Sequence, residues 1–269
     1  MSAASAAPVL LIGAGRMGSA LLSGWASARA VPKGQMLIRT PRPNETCIAC
    51  ANGGAVLNPP DEALAQVQTV VLAVKPQKWR EVAAEYSPLL PSDAIILSVV
   101  VGVRARDLAE AFGGRRIARV LPTTAVAERR GVASLFAAGP AAQQRAHALF
   151  DPISIAVDVD DEDQMDAASA VSASGAAYVY AFVDALQQAG EAAGLAPATA
   201  GLLARATAAS AAEFMLASGE SAEYLIGQVA SPGGTTRAAL AVLDAEPGLK
   251  GLLRDAVAAA VKRAQELAR

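Results

Sequence analysis

The chain has 269 residues, of which 53% are hydrophobic and only 18% charged, with a formal net charge of −2. That length allows one large domain or two modest ones, and the apolar fraction supplies a sizeable core. The near-neutral balance without a basic block excludes an electrostatic footprint for nucleic acid.

In chain order, "PVLLIG" (8–13) predicts a buried strand and "RMGSALLSGWASA" (16–28) a helix. "QMLIRT" (35–40) is the next strand, and "NETCIACANG" (44–53) a helix ending at Gly53 and Gly54. "TVVLAVKP" (69–76) and "AIILSVVVGV" (94–103) are near-continuous apolar runs, as expected of parallel strands covered on both faces. "RIARVLPTT" (116–124) and "VASLFAA" (132–138) continue the series. This alternation predicts a doubly wound α/β sheet over residues 1–160. The acidic cluster Asp158, Asp160, Asp161, Glu162 and Asp163 marks a boundary and suits a helix N-terminus. Beyond it, over 161–269, Leu, Ala and Val recur at helical spacing across 178–193, 198–217 and 248–268, punctuated by Gly194, Pro197, Gly219, Pro247 and Gly248. An all-helical second domain is expected there.

The N-terminal stretch carries no positive region ahead of its apolar run, which leads directly into a glycine loop, so no secretory signal is expected. The longest uncharged run, Ala167 to Val183, is too short and polar for a membrane span. A cytoplasmic protein without membrane or metal partners follows. Cys47 and Cys50 form a C-x-x-C, but with His147 as the sole histidine no zinc set is available. Two small packed cysteines, and a helix-surface histidine, are the simpler expectation.

Gly13-Ala14-Gly15-Arg16-Met17-Gly18 matches G-x-G-x-x-G after a strand and at a helix start, the setting of a dinucleotide site. Gly13 permits the tight turn, Gly15 the approach of pyrophosphate and Gly18 close helix–strand packing, with the phosphates on the helix N-terminus. At the end of the second strand Arg39-Thr40-Pro41-Arg42 replaces the acid of an NAD site. Guanidiniums and a hydroxyl suit a 2′-phosphate, so NADPH is expected, with NADH the second choice. Lys75 and Pro76 end another strand that should face the cofactor.

Later in the chain, "VASPGGTTRAAL" (229–240) places Gly233, Gly234, Thr235 and Thr236 before a helical run. The run reads as a helix start capped by hydroxyls, or as backbone N–H groups that bind an anion.

Together "IGAGRMGSALLSGW", "VVLAVKPQ", "SVVVGV", "RVLPTTA", "VSASGAAYVYAFVDALQQAGEAAGL" and "VASPGGTTRAALAVLD" resemble the pyrroline-5-carboxylate reductase family, in order and over nearly the whole length. The resemblance implies an N-terminal Rossmann domain and a helical domain that forms an intertwined homodimer, often assembled further. It implies that Ala14, Arg16, Met17, Thr40, Arg42 and the segment Ala73-Val74-Lys75-Pro76 contact NADPH, with Gly102 near the nicotinamide. It places Glu162, Gln228, Ser231, Thr235 and Thr236 around the substrate and Glu220 at a family position near this loop. The implied reaction reduces 1-pyrroline-5-carboxylate to L-proline, with Gly234, Thr235 and Thr236 holding the carboxylate and the Thr236 hydroxyl on the ring nitrogen. Tyr178 is a candidate lining residue.

The chain departs from the family pattern at "RVLPTTA", which lacks an amide at Thr123 and a proline at Ala125, and at Ser172–Tyr178, where alanines replace a glycine and a proline. These changes leave open a related imine reductase, or a sensor that binds dinucleotide without turnover. A β-hydroxyacid reductase is disfavoured because no lysine occurs between Lys78 and Lys250.

Overall fold

The computed structural model describes residues 6–267; Met1–Ser5 and Ala268–Arg269, at the ends of the expected first domain and last helix, lie outside the described residues. The chain divides into two compact units, Met1–Ala173 with Val261–Arg269, and Ser174–Ala260.

The first unit is built on an eight-stranded sheet. Its strands are β1 (Val9–Ile12), β2 (Met36–Arg39), β3 (Val56–Leu57), β4 (Thr69–Leu72), β5 (Ile95–Ser98), β6 (Ile117–Pro122), β7 (Gly131–Ala137) and β8 (Ser154–Asp158). They lie in the order β3-β2-β1-β4-β5-β6-β7-β8. All neighbouring pairs are parallel except β6 and β7, which pair antiparallel with Val120 opposite Leu135. The chain reverses its direction of travel across the sheet between β1 and β4, which is where open α/β sheets bind ligands.

Side chains alternate between the two faces of each strand. Val9, Leu11, Val71 and Leu97 pack on one face with Leu21, Trp25 and Phe150, from α1 (Arg16–Ala28) and α5 (Pro140–Phe150). Leu10, Ile12, Val70 and Ile96 pack on the other with Trp79, Leu108 and Phe112, from α3 (Trp79–Tyr86) and the end of α4 (Ala105–Ala111). Because both faces are covered, β1 and β4 are buried throughout, and their sequences read as unbroken apolar runs. The helix expected over 44–53 is α2 (Glu45–Asn52), capped by Asn44, whose side chain accepts the Cys47 N–H. Cys47 is buried and Cys50 half-buried, both as free thiols. Burial, and then proximity to Cys47, push the Cys50 thiol up from its ordinary pKa, which keeps it protonated and unreactive.

Some expected elements differ. The apolar runs 69–76 and 94–103 are strands only as far as Leu72 and Ser98. After Ser98 the backbone turns, with Gly102 at φ +78, a conformation closed to most side chains. Two edge strands, β3 and β8, escape the sequence pattern: β3 is two residues long, and Ile155 and Val157 of β8 point outward rather than into the core.

The second unit holds α7 (Gly175–Ala192), α8 (Pro197–Ser218), α9 (Ala222–Val229), α10 (Thr235–Asp244) and most of α11 (Leu249–Leu267), following α6 (Met165–Ser172) of the first. α7 and α8 approach closely through small residues: a side chain at Gly190 would press on Ala200, and one at Gly201 would meet the Gln187 amide. This unit buries little of its own apolar surface. No residue of α7 is buried, while Tyr180, Leu202, Phe214, Leu216, Val229 and Val242 are largely exposed. No described helix is long and apolar enough to cross a membrane.

Candidate active site

The first cluster of expected residues forms around the turn from β1 to α1. Gly13 has φ +95 and donates its N–H to the Arg39 carbonyl at 2.8 Å. A side chain there would lie 2.5 Å from the Ala73 carbonyl oxygen. A side chain at Gly18 would lie 2.1 Å from the Gly13 carbonyl oxygen. Both glycines are therefore demanded by close backbone approach.

Gly15 differs, because a side chain there would meet nothing within 4 Å. It is the N-cap of α1, and no side chain caps that end. Free N–H groups at a helix start with open space beside them fit a pyrophosphate. Ala14 is buried, Met17 packs on the core, and Arg16 is exposed at the helix start.

Asn44, which sequence reasoning missed as a site residue, stitches this turn to α2. Its amide nitrogen donates to the Ala14 carbonyl at 2.9 Å and to Ser19 Oγ at 2.9 Å, while its oxygen takes the Cys47 N–H. The only sequence signal was a cap residue before a short helical run.

At the end of β2 the three expected 2′-phosphate residues are placed differently. Arg39 is mostly buried: Nη2 pairs with Asp61 Oδ1 at 2.5 Å, the guanidinium sits 6.0 Å from the Tyr86 ring centroid, and Nε has no partner among the described residues. Thr40 is buried, and its N–H donates to Asn58 Oδ1 at 3.0 Å. Arg42 is exposed and makes no ion pair among the described residues. Ala73, Val74, Lys75 and Pro76 follow β4 at the same edge of the sheet, with Lys75 exposed. Gly102 lies in the turn after β5.

Glu162 also belongs to the first unit. Its Oε1 accepts from Arg119 Nη1 at 2.9 Å and from the Ala105 N–H at 2.6 Å.

The remaining expected residues lie in the second unit. Gln228 is near the end of α9, Ser231 and Gly233 are in the turn that follows, and α10 begins at Thr235. The cap of α10 is Gly234, with no side-chain cap, so the hydroxyls expected to cap the helix are instead its first two residues. Gly233 has φ +73, and a side chain at Gly234 would meet Ser231 Oγ at 2.7 Å. The positive φ of Gly233 favours glycine there, and the turn leaves the N–H groups at this helix start without a side-chain cap.

His147 lies on α5 with Nδ1 at 2.9 Å from Asp151 and Nε2 at 3.1 Å from Asp158. Among the described residues no group of three His, Cys, Asp or Glu could hold a metal ion.

Residues 162–267 match the family profile described as pyrroline-5-carboxylate reductase dimerisation, and 8–102 match NADP oxidoreductase coenzyme F420-dependent. The chain is 36% identical to a pyrroline-5-carboxylate reductase of Pseudomonas aeruginosa, covering 97% of this chain and 96% of that one. It is 34% identical to the enzyme of Pisum sativum, covering 95% and 94%. The chain belongs to the pyrroline-5-carboxylate reductase family. Among solved structures, a pyrroline-5-carboxylate reductase from Coxiella burnetii superposes with a TM-score of 0.90 at 30% identity, covering 98% of this chain and 99% of that one. The NADP-bound pyrroline carboxylate reductase of Plasmodium falciparum has a TM-score of 0.81 at 26% identity, covering 97% and 98%. The matched profile is a dimerisation profile, which supports a homodimer, and the helices of the second unit within it leave large apolar side chains exposed.

Proposed function

We propose that the chain reduces 1-pyrroline-5-carboxylate to L-proline with NADPH, as the last step of proline synthesis. The observation that carries this reading is similarity to reductases of this name across nearly the whole length of both partners. When bound, NADPH supplies a hydride to the imine carbon, and the ring nitrogen ends as the amine of proline.

The protein's part is positioning and electrostatics. Gly13, Ala14, Gly15, Arg16, Met17 and Gly18 bind the pyrophosphate, with Gly15 supplying the open backbone. Arg42 and Thr40 take the 2′-phosphate, and Arg39, paired with Asp61, shapes the end of β2 beside them. Ala73, Val74, Lys75 and Pro76 line the cofactor at the end of β4, and Gly102 lies against the nicotinamide. In the second unit the N–H groups of Gly234, Thr235 and Thr236 bind the substrate carboxylate, because a helix start without a side-chain cap attracts an anion. Gly233 sets the turn, Gln228 and Ser231 shape the pocket, and the Thr236 hydroxyl hydrogen-bonds the ring nitrogen and relays its proton. A protonated imine is already electrophilic, so no strong general acid is required.

The dimer assembles further, in the cytoplasm. Thr236→Ala is expected to lower turnover of the imine, followed as loss of reduced-nicotinamide absorbance, while NADPH affinity stays nearly constant. A large loss of NADPH binding instead would remove Thr236 from this role.

A further inference from the structure

Arg119 and Glu162 form a buried latch behind the turn that follows β5. Arg119, on β6, is 2% exposed. Its register partner across the sheet is Ser98, the last residue of β5, whose hydroxyl accepts the Val100 N–H at 3.3 Å. Glu162 comes from the segment after β8 and is joined to Arg119 by a 2.9 Å ion pair. The same carboxylate oxygen takes the Ala105 N–H, just past the turn, at 2.6 Å. The adjacent Arg104 pairs with Asp163 at 2.5 Å. Residues 99–104 are thus held at Ser98 on one side and by Glu162 and Asp163 on the other. One turn residue, Gly102, has φ +78.

From this geometry we infer that Glu162 is a positioning residue for the cofactor and not a ligand of the substrate: with Arg119 it fixes the β5–α4 turn that presents Gly102. Two observations favour this over substrate contact. The Glu162 side chain is only 17% exposed, and its Oε1 already accepts from both Arg119 Nη1 and the Ala105 N–H. Arg119 Nε has no partner among the described residues, so the Glu162 carboxylate is the compensating charge for a buried guanidinium. The role assigned to the turn rests on the reading of Gly102 as the nicotinamide neighbour.

The test compares Glu162→Gln, Arg119→Lys, Arg119→Met and the double variant Arg119→Met with Glu162→Gln in the full-length protein. The double variant keeps the fold assayable if a single change leaves a buried charge unpaired. Glu162→Gln is expected to speed amide exchange at Ala105 by about tenfold or more, the loss of one charge-assisted hydrogen bond. It is also expected to raise the KM for NADPH and its dissociation constant, measured by fluorescence, while the KM for 1-pyrroline-5-carboxylate stays within about twofold. Arg119→Lys should recover part of what Arg119→Met loses.

A raised KM for the imine with exchange unchanged would overturn the inference, and so would faster exchange with NADPH binding unaltered. The exchange and binding measurements need no turnover. A wild-type protein inactive on this imine would therefore count against the proposed reaction and leave the latch to be judged on its own.

Discussion

Arg39 and Asp61 are joined by a 2.5 Å ion pair at the end of β2, where a dinucleotide's ribose would lie. The two arginines of "RTPR" are therefore unequal: Arg39 is held in an ion pair, and Arg42 is exposed with no ion pair among the described residues. Arg42→Ala is expected to raise the KM for NADPH by roughly tenfold or more while leaving that for NADH nearly unchanged, because only NADPH carries the extra phosphate. Arg39→Ala should cost more in melting temperature than in coenzyme preference, since it leaves Asp61 alone and removes the side chain packed beside Tyr86. Steady-state kinetics with both coenzymes, together with thermal melts, separate the two. The reverse ranking would assign the phosphate to Arg39.

Trp25 ties α1 to α5. Its indole N–H donates to the Leu149 carbonyl at 2.8 Å, and its ring meets Phe150 edge-on with centroids 6.2 Å apart. Trp25→Phe keeps most of the apolar volume but leaves a buried carbonyl without its donor, which costs about 1–3 kcal/mol. Trp25→Ala also opens a cavity and should cost about 3–5 kcal/mol. Denaturant titration of both variants checks the order. Equal losses would mean that the hydrogen bond, not the packing, carries the whole effect.

Where a strand is buried on both faces, its sequence has little freedom, and so β1, β4 and β5 were legible as apolar runs. Their ends were not, because "VVVGV" is as apolar as the strand before it and only Gly102 marks the turn. The edge strands β3 and β8 have one poorly covered side and lose the pattern. In the site, Gly13, Gly18 and Gly233 were legible because each has a steric or conformational reason that other residues do not meet. The pairings Arg39–Asp61 and Arg119–Glu162 were not, because they join residues 22 and 43 positions apart in sequence, and only the folded sheet brings them together. The two hydroxyls of "PGGTT" misled as caps because Gly234 already ends the turn.

His147 links α5 to the end of β8. Burial alone would lower its pKa, but hydrogen bonds to Asp151 and Asp158 outweigh that effect and raise it above the ordinary value of 6.5. A histidine whose folded pKa is raised binds its proton more tightly in the folded state. Its contribution is complete below about pH 6.5, the unfolded value, and disappears as pH rises through the folded pKa. All three side chains are partly solvated, so the pair is worth about 0.2–1 kcal/mol. His147→Gln should therefore lower the melting temperature at pH 5.5–6 by about 1–3 °C and leave it unchanged near pH 9. A difference that persists at high pH would show that the ring acts by packing and not by charge.

Gly15 and Gly18 give opposite predictions from the same loop. An alanine methyl at Gly18 would sit 2.1 Å from the Gly13 carbonyl oxygen, a contact that only backbone movement can relieve. Gly18→Ala is therefore expected to destabilise the protein by about 1–3 kcal/mol or more and to weaken NADPH binding as a consequence. At Gly15 the backbone has φ −71 and ψ −162, which alanine adopts without strain, and its methyl would enter empty space. Gly15→Ala should fold with an unaltered melting temperature. If the pyrophosphate occupies that space, the same variant should bind NADPH at least about tenfold more weakly, since one methyl would displace the phosphate from the α1 N–H groups. Melting curves and fluorescence titration with NADPH measure the two effects separately. Wild-type affinity in Gly15→Ala would mean that the phosphates lie elsewhere, whatever the behaviour of Gly18→Ala.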